Sequence, residues 1–217
     1  MITFDEIKKN KEIQAYLKKG NDNLMVLGYT DHSVAHTMMV ALRAGYILEA
    51  LGYDEHKIEL VKIAGFMHDI GNSINRKNHA EYGAILADSL LKNMDISIED
   101  RIDIISAIGH HDESTGGARD IISAALIIAD KTDVRRNRVI QKDRSTFDIH
   151  DNVNYAVTSN KLIIDKNKII LELEVDESIC TMYEYFDIFL NRMLMSRQAA
   201  EMLSSTFNLY VNGSKIL

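Results

Sequence analysis

Residues 64–71 read AGFMHDIG, an apolar helical run that ends on the adjacent polar pair His68-Asp69 just before Gly71. Ile58, Val61, Ile63, Ala64 and Met67 fall at inward helical spacing, which makes the run one buried face of a helix opened by Asp54. Adjacent residues within a helix point about 100° apart, so two neighbours can aim at one centre only where the helix ends. Gly71 supplies such an end. A second neighbouring pair, His110-His111, precedes the polar, glycine-containing DESTGG at 112–117 and is placed at a helix end by the same argument.

Working outward, a helix is expected to open near Thr30-Asp31 and to run through HTMMVALRAGYILEALG (36–52), stopping at Gly52. Val40, Ala41, Ala44 and Ile47-Leu48 form its buried stripe. Before it, Phe4 to about Lys19 reads as a charged amphipathic helix closed by Gly20-Asn21. Downstream, helices are expected over His79–Lys92, Ile98–His110 and Arg119–Asp130. Near residue 150 the pattern changes. NYAVTSNKLIID (154–165) and NKIILELEV (167–175) are β-rich runs joined at Lys166-Asn167, Thr181–Leu203 returns to helix, and FNLYVNGSKI (207–216) reads as a closing strand. The expected fold is mainly α: a helical domain over 1–147 and a small α+β appendage of β-hairpin, helix and strand over 148–217.

The composition sets bounds on the chemistry. With 217 residues, 46% hydrophobic and 26% charged, the chain matches a soluble globular protein with one sizeable core. A net charge of -7 argues against general nucleic-acid binding, which needs a basic surface. The N-terminal MITFDEIKK lacks the apolar stretch of a signal peptide, and the longest apolar run, Ile121 to Ala129, is too short to span a bilayer. Cys180 is the lone cysteine, so no internal disulfide can form. These features lead to the expectation of a cytoplasmic protein without a membrane partner.

Five of the eight histidines fall in one ordered series with two aspartates: His36, His68-Asp69, His79, His110-His111 and Asp130. Imidazole and carboxylate without nearby cysteine are the donors of a hydrolytic metal site. The pattern HTMMVALRAGYILEALG…AGFMHDIG…HAEYGAIL…IGHHDE…IIADKTD resembles the HD-domain metal-dependent phosphohydrolase superfamily over roughly Thr30 to Arg138. The resemblance implies an HD-domain helical bundle in which His36, His68, Asp69 and Asp130 surround one metal. It also implies that His79, His110 and His111 hold a second metal, with Asp69 bridging the two and His68-Asp69 at the catalytic centre. A metal pair of this kind can generate hydroxide at neutral pH while polarising the phosphoryl oxygen. Divalent ions are therefore the expected cofactors. Histidine and carboxylate suit manganese, iron, cobalt, nickel and zinc alike, and the family's mixed sites favour iron or manganese.

Candidate substrate contacts lie near the series. His32 stands four residues before His36 and can share its helical face. The segment KTDVRRNRVIQKDR (131–144) is locally basic, with Lys131, Arg135, Arg136, Arg138, Lys142 and Arg144 against Asp133 and Asp143. Arginine matches phosphate oxygens in a bidentate fashion, so Lys131, Arg135 and Arg136 are candidate phosphate contacts. Asn72 occupies a position that is often lysine in the resembled family, which alters any substrate clamp there. His56 and His150 follow no pattern and are expected to face solvent.

Two readings emerge. The first is an enzyme that cleaves a phosphate mono- or diester of a nucleotide or dinucleotide. The second is a catalytically weak nucleotide- or metal-sensing module that signals through its C-terminal appendage. The intact ligand series favours the enzyme. The appendage's exposed strand edges need covering, which points to a homodimer surface or a lid.

Overall fold

The computed structural model describes residues 2–140 and 143–217. Lys142 of the basic segment lies outside the described residues. The chain opens with two helices where one was expected, α1 (Phe4–Lys9) and α2 (Lys11–Val26). Asn10 causes the break: its side chain accepts from the amides of Glu12 and Ile13 and so caps α2. Nor does α2 stop at Gly20. It continues for six residues because Gly20 faces the turn after His68-Asp69, where a Cβ would stand 3.2 Å from that of Asn72.

Next come α3 (Val34–Ala50), capped by Ser33 rather than by Thr30 or Asp31, and α4 (Glu55–Met67), capped by Asp54. His68 is the C-cap of α4, and Ile70–Ser73 make a single 3₁₀ turn. The expected helix end at the His68-Asp69 pair is therefore present. α5 (His79–Leu91) follows, then α6 (Ile98–Gly109), which ends on His110 as its C-cap, and α7 (Ile121–Lys131), opened by an Asp120–Ser123 capping box. Every residue from Ile122 to Lys131 is buried, so α7 is the central helix. It packs against α3, α4 and α6.

The C-terminal part adds α8 (Ile149–Ala156), which takes residues 154–156 from the expected strand. A four-stranded sheet follows in the order β1 (Val157–Asp165), β2 (Lys168–Val175), β3 (Thr206–Val211), β4 (Ser214–Lys215). β1 and β2 form the expected antiparallel hairpin. β3 joins β2 in parallel after the crossover helix α9 (Met182–Met202). The expected closing strand is a hairpin, because Asn212 and Gly213 both take positive φ and turn β3 back into β4. The chain is thus mainly helical with a small C-terminal sheet, as expected.

α9 packs on α7 and on β3. One continuous apolar core results, running from Ile7 and Leu48 through Ile127 to Phe189 and Leu209. No described helix is long and apolar enough to cross a membrane.

Candidate metal centre

The site lies where α3, the C-terminal end of α4, the first turn of α5, the end of α6 and the last turns of α7 converge. His36, His68, Asp69, His79 and His111 are all buried, and Asp130 is 9% exposed. Gly71 makes the approach close, since a Cβ there would overlap the carbonyl oxygen of His79. This glycine lets the His68-Asp69 turn sit directly on the start of α5.

Each buried histidine is held by Nδ1. His68 Nδ1 donates to the carbonyl of Gly65 at 2.8 Å, His111 Nδ1 to that of Ile108 at 2.7 Å, and His79 Nδ1 to that of Arg76 at 3.2 Å. His36 Nδ1 instead meets the buried carboxylate of Asp133, 2.8 Å away. A carbonyl only accepts, so its partner nitrogen carries a proton; in a neutral ring Nε2 is then the lone pair, and in a charged ring Nε2 carries a second proton that a metal ion would replace. These Nε2 atoms point inward. His36 Nε2 lies 3.4 Å from Asp130 Oδ1 and 3.7 Å from Asp69 Oδ2. His68 Nε2 lies 3.4 Å from Asp69 Oδ2 and 3.7 Å from Asp130 Oδ1. On the far side of Asp69, His79 Nε2 is 3.7 Å from Oδ1 and 3.1 Å from His111 Nε2.

The donors therefore form two overlapping groups. His36, His68 and Asp130 can converge on one ion, and His68, Asp69 and His111 on another. Buried His36 Nε2, His68 Nε2 and Asp69 Oδ2 have no hydrogen-bond partner. Buried polar atoms without partners are costly, and three aimed at one point fit a divalent cation. His110 is not brought in. Its Nδ1 donates to the carbonyl of Ser106 at 2.9 Å, and the half-buried ring enters neither group.

The charges favour a cation as well. Burial works against ionisation of Asp69 and Asp130. It is outweighed at Asp69 chiefly by His68, and at Asp130 by Lys131 with His36 and His68, which hold both carboxyls well below the usual range. Burial also opposes a charged His68, yet the two aspartates lift it to about 10. Burial pushes His111 and His79 down, so both rings are neutral and able to act as donors to a metal.

The candidate substrate residues fall in different places. His32 remains beside the cluster, its ring edge-on to His36 at 5.5 Å, with Nδ1 2.6 Å from the carbonyl oxygen of Thr30. Asn72 is buried and donates to Asp69 Oδ1 at 2.8 Å. Lys131 is buried between Asp130 Oδ2 at 2.8 Å and Glu113 Oε2 at 2.5 Å. Arg135 is spent on Asp133, and Arg136 donates to the carbonyl of Tyr155 at 2.5 Å. These two arginines line a separate groove with residues 157–160. Arg138 is buried against the carbonyls of Asp31 and Asp133. His56 sits on the surface beside Asp100, whereas exposed His150 lines a cavity next to His32.

Several residues that matter here carried no sequence signal. Asp133, Glu113, Arg76 and Arg192 all belong to the cluster or its two adjoining cavities. One cavity, of about 450 Å³, is lined by His79, Arg76, Lys77, Asp112 and Glu113. The other, of about 130 Å³, shares Arg76 and Glu113 with the first and adds Tyr29, His32, Phe189 and Arg192.

Residues 34–137 match the family model of the HD domain. An uncharacterized protein of Methanocaldococcus jannaschii is 27% identical over 172 residues, covering 69% of this chain and 66% of that protein. Ribonuclease Y of Deinococcus radiodurans is 32% identical over 109 residues, 45% of this chain but only 17% of the ribonuclease. Among solved structures, a "predicted HD superfamily hydrolase" from an uncultured Thermotogales bacterium is similar with a TM-score of 0.45 and 24% identity, covering 58% of this chain and 68% of that one.

Proposed function

We propose that this protein, whose residues 34–137 match the family model of the HD domain, is a metal-dependent phosphohydrolase acting on a phosphate ester of a nucleotide. The observation that carries the reading is the set of inward-facing atoms without partners, His36 Nε2, His68 Nε2 and Asp69 Oδ2. His36, His68, Asp69 and Asp130 would hold one divalent ion, and Asp69, His79 and His111 a second, with iron or manganese favoured. Ions bound there would supply Lewis acidity toward the phosphoryl oxygen and an acidified water at neutral pH.

The chain's own groups prepare that chemistry. Asp133 and the carbonyls of Gly65, Ile108 and Arg76 hold the four rings with Nε2 turned inward. Asn72 donates to Asp69 Oδ1 and so fixes the orientation of the carboxylate within the cluster. Lys131 neutralises part of the negative charge on Asp130 from the side opposite His36 and His68. Arg76 lines both cavities, where it can orient an anionic substrate. Phosphate-ester cleavage depends largely on such positioning and charge stabilisation.

The test is phosphate release from a panel of nucleotides by protein loaded with manganese or iron. Turnover that is lost on chelation, regained on adding metal back and absent in Asp69→Asn supports the reading. Stoichiometric nucleotide binding without turnover under every metal replaces it with the sensing module.

A further inference from the structure

The cleft beside the metal ligands has a wall that the HD segment does not supply. The cavity of about 130 Å³ touches His32, which packs on His36, and takes part of its lining from residues beyond 137. Those residues are Asp148, whose carboxylate caps α8 by accepting from the amide of Asp151, His150 and Asn154 of α8, and Phe189 and Arg192 of α9. Because α9 packs on α7, the helix that carries Asp130, the position of Arg192 is fixed relative to the metal ligands.

Two arginines line this small space, and each is held over an aromatic ring. The guanidinium carbon of Arg192 stands 4.8 Å from the Phe189 ring centroid, and that of Arg76 stands 5.4 Å from the Tyr29 centroid. An arginine stacked this way has little freedom left to lose on binding an anion. At about 130 Å³ the space is the smaller of the two cavities beside the cluster and has room for a phosphoryl group.

One carboxylate already engages Arg192 and the neighbouring Lys131. Glu113 Oε1 lies 3.3 Å from Arg192 Nε, and Glu113 Oε2 lies 2.5 Å from Lys131 Nζ. Lys131 in turn reaches Asp130 Oδ2 at 2.8 Å, so alternating charges run from the metal ligand Asp130 to α9. Glu113 thus places carboxylate oxygens where a tetrahedral oxyanion would make the same contacts.

We propose that Arg192 and Arg76 form an oxyanion subsite for a phosphoryl group of the substrate, and that this group displaces the Glu113 carboxylate from Arg192. The C-terminal appendage then completes the substrate site. This deepens the phosphohydrolase reading and rests on it only for calling the ligand a substrate.

The experiment is calorimetric titration of inorganic phosphate into the manganese-loaded full chain, alongside steady-state hydrolysis of p-nitrophenyl phosphate. Arg192→Ala is expected to weaken phosphate binding about tenfold to a hundredfold, the cost of one charge-assisted contact. It should also raise KM more than it lowers kcat, while metal content stays at the wild-type level. Arg192→Gln, with a longer side chain to fill the space, repeats the measurement if the alanine variant fails to fold. Glu113→Gln is expected to have the opposite sign and to tighten phosphate binding.

The inference is overturned by wild-type protein that binds no phosphate, by Arg192 variants with unchanged phosphate affinity, or by Glu113→Gln weakening binding as much as they do. The opposite-sign pattern in a protein that hydrolyses nothing would sink the enzyme reading and leave the subsite standing. Hydrolysis with an unchanged KM in the Arg192 variants would do the reverse.

Discussion

His79 Nε2 and His111 Nε2 face each other at 3.1 Å, while Nδ1 of each ring is turned to a backbone carbonyl, that of Arg76 and that of Ile108. Two neutral imidazoles held this way direct lone pairs at one another. A shared cation relieves that repulsion, and Asp69 Oδ1, 3.7 Å from His79 Nε2, stands ready to complete its surroundings. Ligand binding to the folded state alone stabilises a protein by about 4 kcal/mol when the ligand is present at a thousand times its Kd. For a chain of this size that corresponds to a rise in Tm of about 10 °C. Exhaustive chelation should therefore lower Tm by about that amount in a thermal scan, and adding manganese or iron back should restore it. An identical Tm with and without metal would contradict the assignment.

Asp133 holds His36 through Nδ1 at 2.8 Å, so its charge both orients the ring and makes Nε2 a stronger donor. Asp133→Asn is expected to weaken metal affinity about tenfold to a hundredfold, as loss of such a supporting partner typically does. Competition with a chelating dye measures this directly. Unchanged affinity would mean that His36 needs no such support.

Asn72 donates to Asp69 Oδ1 at 2.8 Å from a fully enclosed position. Asn72→Ala removes that donor and should cost about 1–2 kcal/mol of stability. If Asp69 holds metal as proposed, it should also lower kcat with little change in KM, since Asn72 touches Asp69 and lines neither cavity beside the cluster. A rise in KM alone would return Asn72 to the role of substrate contact.

The His68 ring gives a pH dependence with a definite sign. Its folded pKa is raised to about 10, above the ordinary value of 6.5. The stability that this provides is fully present below 6.5 and is lost as pH rises toward 10. His79 and His111 are shifted the other way, so the folded state loses stability as pH falls below 6.5. Metal-free protein should therefore show a falling Tm on both sides of near-neutral pH. Metal-loaded protein should lose the alkaline decline, because a bound ion takes the place of the His68 proton. Differential scanning fluorimetry across pH, with and without metal, distinguishes the two profiles.

The features legible in the sequence are those whose chemistry is local. His68-Asp69 before Gly71 announces a helix end carrying two ligand types, and α4 ends there. The strand pair around Lys166 follows from β-branched alternation and is present in register. Other features depend on where distant segments meet. Asp133 lies in a run of basic residues and reads as part of a solvated face, yet it is 0% exposed because α3 and α7 pack together around it. Glu113 and Arg192 are 79 positions apart and become neighbours only when α9 docks on α7. Asn10 falls inside the single helix expected from Phe4 to about Lys19, and its capping bonds to Glu12 and Ile13 depend on a backbone break that no local pattern marks. Asn212-Gly213 is a short-range turn signal present in the sequence, and it explains β4.

The central claim is that buried imidazole and carboxylate donors around Asp69 hold divalent ions. Metal content per chain, measured by mass spectrometry after equilibration with manganese or iron and removal of free ions, tests it most directly. The expected result is a pair of ions in the wild type, a single ion in His111→Ala, and none in Asp69→Ala, with all three proteins folded. Wild-type protein that retains no divalent metal, or Asp69→Ala that retains as much as the wild type, would contradict the account.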